Sequence, residues 1–296
     1  MLLSLFFIST ARAQNDPLYN QYQFNQLVIN PAYAGVHDRM TATLITRLQW
    51  LGIEGAPLSN NASIHTSWGR TNMGVGLMVL NDRLGINENT EVNGIYSYRL
   101  DFGNTQLQFG LQVGAINFRY DYNKLTLEYL DDPNLQTGND QFTKPNFGSG
   151  LFYSGKSFFI GVSIPRMLNV KINDGLINSV RYRRHIYVSG GVVWPLSELI
   201  KIKPSALLKV VDSKPLSYDL NLHVLFAETL WVGVTYRDQN SMGLNTQLEV
   251  SDRVRVGYCF EYPFEPLNTG NLGTHELMVS IDFTPFRKQL ATRRYF

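Results

Sequence analysis

The stretch Gln106-Leu107-Gln108-Phe109-Gly110-Leu111-Gln112-Val113-Gly114-Ala115 alternates without a break, polar or Gly at even positions and apolar at odd ones. A side-chain period of two is that of a β-strand with one apolar and one polar face. About fourteen segments of this kind, divided by Gly, Asn, Asp and Pro and with no helical stretch between them, run the length of the chain. Such a pattern predicts an all-β protein: a transmembrane antiparallel up-and-down β-barrel of about 14 strands, with an N-terminal periplasmic or lumenal arm.

Composition agrees. At 296 residues the chain is long for a small sandwich and natural for one large barrel. Mean hydropathy is −0.14, and no stretch after the N-terminus reaches the ~18 apolar residues of a spanning helix. A barrel tolerates such low hydropathy because only alternate strand residues face lipid. The net charge of +2 makes no electrostatic case for nucleic acid. The one cysteine, Cys259, excludes an intrachain disulfide. His37, His65, His185, His223 and His275 show no ligand spacing.

Four segments are expected. Residues 1–13 read as a signal peptide, with apolar Leu2–Ile8 and a small-x-small site at Ala11-Arg12-Ala13; the missing basic n-region suggests truncation. Residues 14–37 form an ordered arm with room for one helical turn, since Pro17 and Pro31 disfavour a central strand. Residues 38–284 form the barrel, and 285–296 a short basic tail hanging into the periplasm beyond Pro285.

Strands are predicted near 39–50, 61–68, 73–80, 90–102, 105–118, 146–153, 157–164, 180–194, 200–211, 216–226, 230–237, 242–250, 253–262 and 275–283. Connections alternate in length. Gly103-Asn104, Ser154–Lys156 and Ser251-Asp252 are short, whereas Leu51–Asn60, Asn81–Asn89, Arg119–Pro145, Pro165–Ser179 and Pro263–Thr274 are mostly long. Outer-membrane barrels sort their connections this way, which places the N-terminus and short turns in the periplasm and the long loops outside.

The faces follow from parity. Leu107, Phe109, Leu111, Val113, Leu220, Leu222, Val224, Phe226, Val254, Val256, Tyr258, Phe260, Leu277, Val279, Ile281 and Phe283 should face lipid. Arg47, Gln49, Arg99, Arg183, Lys201, Lys203, Lys209, Asp219, His223, Arg253, Arg255, Glu276 and Asp282 should face a wet, basic-leaning lumen, because a lipid-facing Arg or Lys at mid-membrane costs roughly 2–4 kcal/mol. Trp50 should mark the outer interface. Gly74 and Gly76 fit close lumenal packing and not a phosphate loop, since no Gly-Lys-Ser/Thr follows.

Local strings add a family signal. Asn30-Pro31-Ala32-Tyr33-Ala34-Gly35, Gln49–Pro57, Gly74–Leu77, Asn81–Ile86, Pro145–Leu151 and Arg294-Tyr295-Phe296, in this order and over essentially the whole mature chain, resemble the PorP/SprF family of type IX secretion system outer-membrane proteins of the Bacteroidota. The resemblance implies a non-enzymatic outer-membrane component of the secretion and gliding machinery. It also implies partners: secreted cargo or adhesins with a C-terminal sorting domain, and periplasmic ring and lipoprotein components. It supplies no catalytic residues.

No chemistry competes with this. Glu128, Asp131, Asp132 and Asp140 lack the spacing and Gly turn of an EF-hand loop; Asp174-Gly175 reads as a turn. Gly148-Ser149-Gly150 sits in a strand pattern, and no serine occupies a Gly-x-Ser-x-Gly elbow. Catalytic, cofactor and metal residues are therefore all expected to be none. The rival to the secretion role is a passive outer-membrane porin or solute channel. Cargo contact is expected at Arg119–Pro145 and Pro165–Ser179, because loops on a rigid scaffold usually carry recognition. The tail is expected to dock a periplasmic component.

Overall fold

The computed structural model describes residues 19–68, 71–124, 139–174, 177–182, 184–211, 215–238, 241–264, 271–283 and 295–296. The expected signal peptide, Arg183, Glu128, Asp131, Asp132 and most of the tail lie outside the described residues. Among the described residues alternation becomes seventeen strands: Met40–Leu48 (β1), Leu58–Ser67 (β2), Met73–Leu84 (β3), Asn87–Asp101 (β4), Thr105–Asp121 (β5), Asn139–Gly155 (β6), Phe158–Ile164 (β7), Val170–Asp174 (β8), Ile177–Tyr182 (β9), His185–Val192 (β10), Trp194–Pro195 (β11), Ile200–Val211 (β12), Ser217–Phe226 (β13), Leu230–Arg237 (β14), Ser241–Glu249 (β15), Val254–Pro263 (β16) and Thr274–Phe283 (β17).

Fourteen of them, β1–β7, β10 and β12–β17, close an antiparallel barrel. First and last strands meet from Met40↔Phe283 to Leu48↔His275, and β10 meets β12 from His185↔Val211. Closure leaves no exposed sheet edge in lipid, as a bilayer demands. The two-residue β11 extends the β10 edge along β12, and β8–β9 form a separate hairpin.

The lipid face is where parity put it. Leu111 and Val113 are each 58% exposed, while their neighbours Gln108 and Gln112 are buried in the lumen. At the short-turn end Trp68, Phe102 and Trp194 are 61–63% exposed, suited to a membrane interface. Toward the other end the outward face turns polar: Gln141 Nε2 donates to Asn117 Oδ1 at 3.2 Å and Asn117 Nδ2 to Thr143 Oγ1 at 2.9 Å. The β5–β6 hairpin thus emerges from the apolar band.

Three expectations change. Asn81–Asn89 is no long loop: β3 runs to Leu84 and β4 starts at Asn87, with Gly85 at φ 56° in the turn. Its polarity is that of strands in water, cross-linked by Arg83–Glu88 at 3.1 Å and Asn81–Thr90 at 3.0 Å. Both ends of Arg119–Pro145 are also strand, since β5 runs to Asp121 and β6 starts at Asn139. The single strand predicted over 180–194 divides. Ile177–Tyr182 pairs with β8, and the barrel strand begins at His185. A period of two cannot tell which neighbour a strand will choose.

Candidate functional site in the lumen

The residues before β1 run inside the barrel. The arm makes three short 3-10 turns, Asn20–Gln23, Gln26–Val28 and Pro31–Tyr33, where one helical turn was expected. Pro31 opens the third, and Asn30 Oδ1 caps it by accepting the Ala32 N–H at 2.9 Å. Asn20, Gln21, Tyr22, Gln23, Asn25, Gln26, Leu27 and Asn30 are all buried. Polar amides dominate because the wall they meet is itself polar.

Near the long-loop end, three cations meet three carboxylates. Arg47 binds Glu276 and lies 3.0 Å from Glu261; Arg237 lies 3.2 Å from Glu261 and 3.3 Å from Asp219; Lys209 lies 3.2 Å from Asp219. The arm plugs into this cluster. Asn20 N–H donates to both Glu276 oxygens at 2.9 and 2.8 Å and Gln21 N–H to one at 3.1 Å. Asn20 Nδ2 donates to Glu261 at 2.5 Å, and Arg237 donates to Asn20 Oδ1 at 2.8 Å. Partners at such distances offset the desolvation of charges taken out of water.

Farther along, Lys203 Nζ donates to Gln23 O at 3.2 Å and sits 4.9 Å from the ring centroids of both Phe24 and Trp231. Asn30 Nδ2 donates to Leu151 O at 2.9 Å and Ser163 Oγ to Ile29 O at 2.6 Å. Ser97 Oγ donates to Ala34 O at 2.5 Å. The wall is cut back to receive this segment. A Cβ at Gly110 would fall on the backbone of Ala32, and one at Gly74 on the carbonyl of Ala34. At the short-turn end Arg39 lies 3.5 Å and Arg255 3.1 Å from Asp282, which also accepts from Thr41 Oγ1 at 2.9 Å. A cavity of about 40 Å³ remains between arm and wall beside Tyr19, Asn61, Gln112 and Arg166. At about 10–15 Å³ per water, this has room for a few waters.

Most of the described lumen-facing charges are therefore where parity placed them, but Arg253 is not, since it is exposed in the turn before β16, and the expectation of a wet face is corrected. Arg47, Lys203, Lys209, Asp219, His223 and Glu276 are buried because the arm fills the space. The tail is corrected too. Its last two residues do not hang free: Tyr33 Oη donates to Phe296 O at 3.0 Å, Lys203 Nζ to Tyr295 O at 3.0 Å, and the Phe296 ring packs 5.3 Å from Phe159. Sequence reasoning missed the arm's anchors. The available signal was the run of Asn and Gln between Asn20 and Asn30, polar yet interleaved with Tyr, Phe, Leu and Ile.

The model of the type IX secretion system membrane protein PorP/SprF family matches residues 11–281. The chain belongs to the PorP/SprF family. It is thus a membrane component of the type IX secretion system with an outer-membrane β-barrel fold. No curated protein matches it. Among solved structures it is similar to Acinetobacter baumannii Omp33, at 11% identity and TM-score 0.45 over 84% of this chain and 99% of that one. A Pseudomonas aeruginosa FadL homologue shares 11% identity at TM-score 0.48 over 90% and 93%. The NanC porin shares 8% at 0.41 over 83% and 99%.

Several of the strings that carry the PorP/SprF resemblance meet one another inside the barrel. Asn30–Gly35 is the arm segment pressed on the wall, and Gly74 of β3 and Gly150 and Leu151 of β6 belong to the surface that receives it. Phe296 closes on Tyr33 from the other side.

Proposed function

We propose that this PorP/SprF barrel is a non-enzymatic accessory of type IX secretion and gliding that supports export or surface attachment of cargo with a C-terminal sorting domain. The observation that carries the reading is the lumen occupied by the chain's own arm. A barrel whose interior is filled by Tyr19–Val36, held by hydrogen bonds to buried charged residues of the wall, does not serve as a passive porin. What it offers to other molecules is its rims and loops.

In this reading the short turns face the periplasmic ring and lipoprotein partners, and the long loops face outward toward cargo. Residues 1–13 are removed as a signal, 14–37 form the N-terminal arm, 38–284 the barrel and 285–296 the short basic tail. Exchanging the loop around β8–β9 and the 122–138 connection with those of a paralogue tests the proposal. Redirected cargo display supports it, and unchanged choice with both barrels assembled refutes it. In planar bilayers the intact protein should show no large steady conductance. A stable wide channel with the arm in place would restore the porin reading.

A further inference from the structure

Strand lengths around the barrel step most sharply in one place. β5 and β6 are 17 residues each, whereas β7 has 7. β6 pairs with β5 along its whole length, from Asp121↔Asn139 to Thr105↔Gly155. On its other side it pairs with β7 only over Ser149–Ser154. After Ile164 the chain turns inward, where Arg166 reaches Glu91 at 2.6 Å, and touches β6 again through Met167 N–H donating to Phe147 O at 2.8 Å. Among the described residues, no strand pairs with that side of β6 above this point.

The direction of the unpaired groups follows from the Met167 bond. The Phe147 carbonyl points away from β5, and backbone groups alternate sides along an antiparallel strand. Asn139, Gln141 and Thr143 therefore aim both N–H and C=O at the open side, as does the Pro145 carbonyl. Pro145 has no N–H to lose there and marks the lower limit of the edge. The edge is about 20 Å long at 3.4 Å per residue, and it stands above the apolar band, where its outward face is polar.

We propose that this edge, Asn139–Pro145, is a docking site for an extended segment of a partner polypeptide, which adds to β6 as an antiparallel strand. The inference goes beyond the cargo reading and stands on backbone geometry, whichever protein supplies the segment. The two faces set the segment's chemistry. The inner face presents Phe142, stacked on Phe118 at 5.0 Å, and Lys144, 5.9 Å from the Phe142 ring and exposed. The outer face presents Gln141 and Thr143. The matching segment alternates polar residues with inward ones that are apolar opposite Phe142 and acidic opposite Lys144. Main-chain bonds hold such a strand, and the alternate side chains select it.

The test is amide exchange on the full protein in detergent micelles, alone and with a capped peptide of alternating Thr and Val carrying one Glu in register with Lys144. Alone, Gln141 and Thr143 amides should exchange rapidly while Phe142 and Lys144, bonded to β5, stay protected. At millimolar peptide, exchange at Gln141 and Thr143 should slow by about tenfold or more. A peptide N-methylated at its edge-facing amides should give no slowing, and Thr143→Pro, which removes an open-side N–H and leaves the β5 ladder intact, should abolish the slowing at Gln141, the open-side amide still read in that variant. Protection at Gln141 and Thr143 without peptide means that the chain covers its own edge and overturns the proposal. So does equal slowing by the N-methylated peptide, or none by the unmodified one. If Thr143→Pro does not assemble, the N-methylated peptide still decides. Loop exchange that fails to redirect cargo leaves these outcomes untouched, so the two readings fall separately.

Discussion

Glu276→Ala should unseat the arm without opening the barrel wall. Glu276 is fully buried on β17, where it accepts the backbone N–H groups of Asn20 and Gln21 and binds Arg47. Its loss leaves two buried arm amides without an acceptor, at roughly 1–3 kcal/mol each. It also leaves Arg47 in excess over Glu261, and breaking one side of a buried pair costs about 3–5 kcal/mol. Water entering the vacated space offsets part of both, so a net loss of about 3–4 kcal/mol in arm seating is expected. At 1.4 kcal/mol per tenfold, the seated-to-released ratio falls by about 10²–10³. Because β17 keeps its ladders to β1 and β16, the folded barrel should retain its heat-modifiable gel mobility. Planar-bilayer recordings should show openings of at least a hundredfold greater total duration, and chymotrypsin should cut at Tyr19, Tyr22 or Phe24 far faster. Glu276→Gln, which keeps an acceptor oxygen, should have a smaller effect. An Ala variant as closed and protease-resistant as the parent would refute the idea that this carboxylate holds the plug.

Other perturbations probe the same packing. Gly110→Leu puts a side chain where Ala32 runs, and overpacking of about 1–3 kcal/mol or more should displace the arm and raise conductance in an assembled barrel. Asn30→Ala removes a cap and the bond to Leu151, each worth about 1 kcal/mol, and should raise arm proteolysis by about tenfold or more while leaving barrel melting unchanged. Deleting Tyr295 and Phe296 strips partners from Tyr33 and Lys203; amide exchange at Tyr33 and Gly35 should accelerate while assembly persists. Protection unchanged by that deletion would show that the tail contributes nothing to the plug.

The faces of the wall were legible because each depends on neighbours two residues away. Leu107, Phe109, Leu111 and Val113 needed no tertiary knowledge to be placed on the lipid side. The strand number was legible for the same reason. The turn at Gly85 was not, since Asn81, Asp82, Arg83 and Glu88 look like loop residues until Arg83 pairs with Glu88, Asp82 with Asn89 and Asn81 with Thr90 across a hairpin. The split at Arg184 was not, because partner choice is a property of two segments together. The lumen misled most. Charges on one parity imply a polar environment, and water is only one such environment; Asn20, Gln21 and their neighbours are another.

By itself, the sequence determined a barrel, its inside and its outside, since a period of two is written in consecutive residues and a bilayer sorts the faces. Only the tertiary structure decided that the barrel is plugged. The bond from Asn20 to Glu276 joins positions 256 residues apart, and that of Tyr33 to Phe296 joins positions 263 apart. Hydrogen bonds of this kind leave no periodic trace. They exist only once a closed wall brings the first residues and the last into the same small volume.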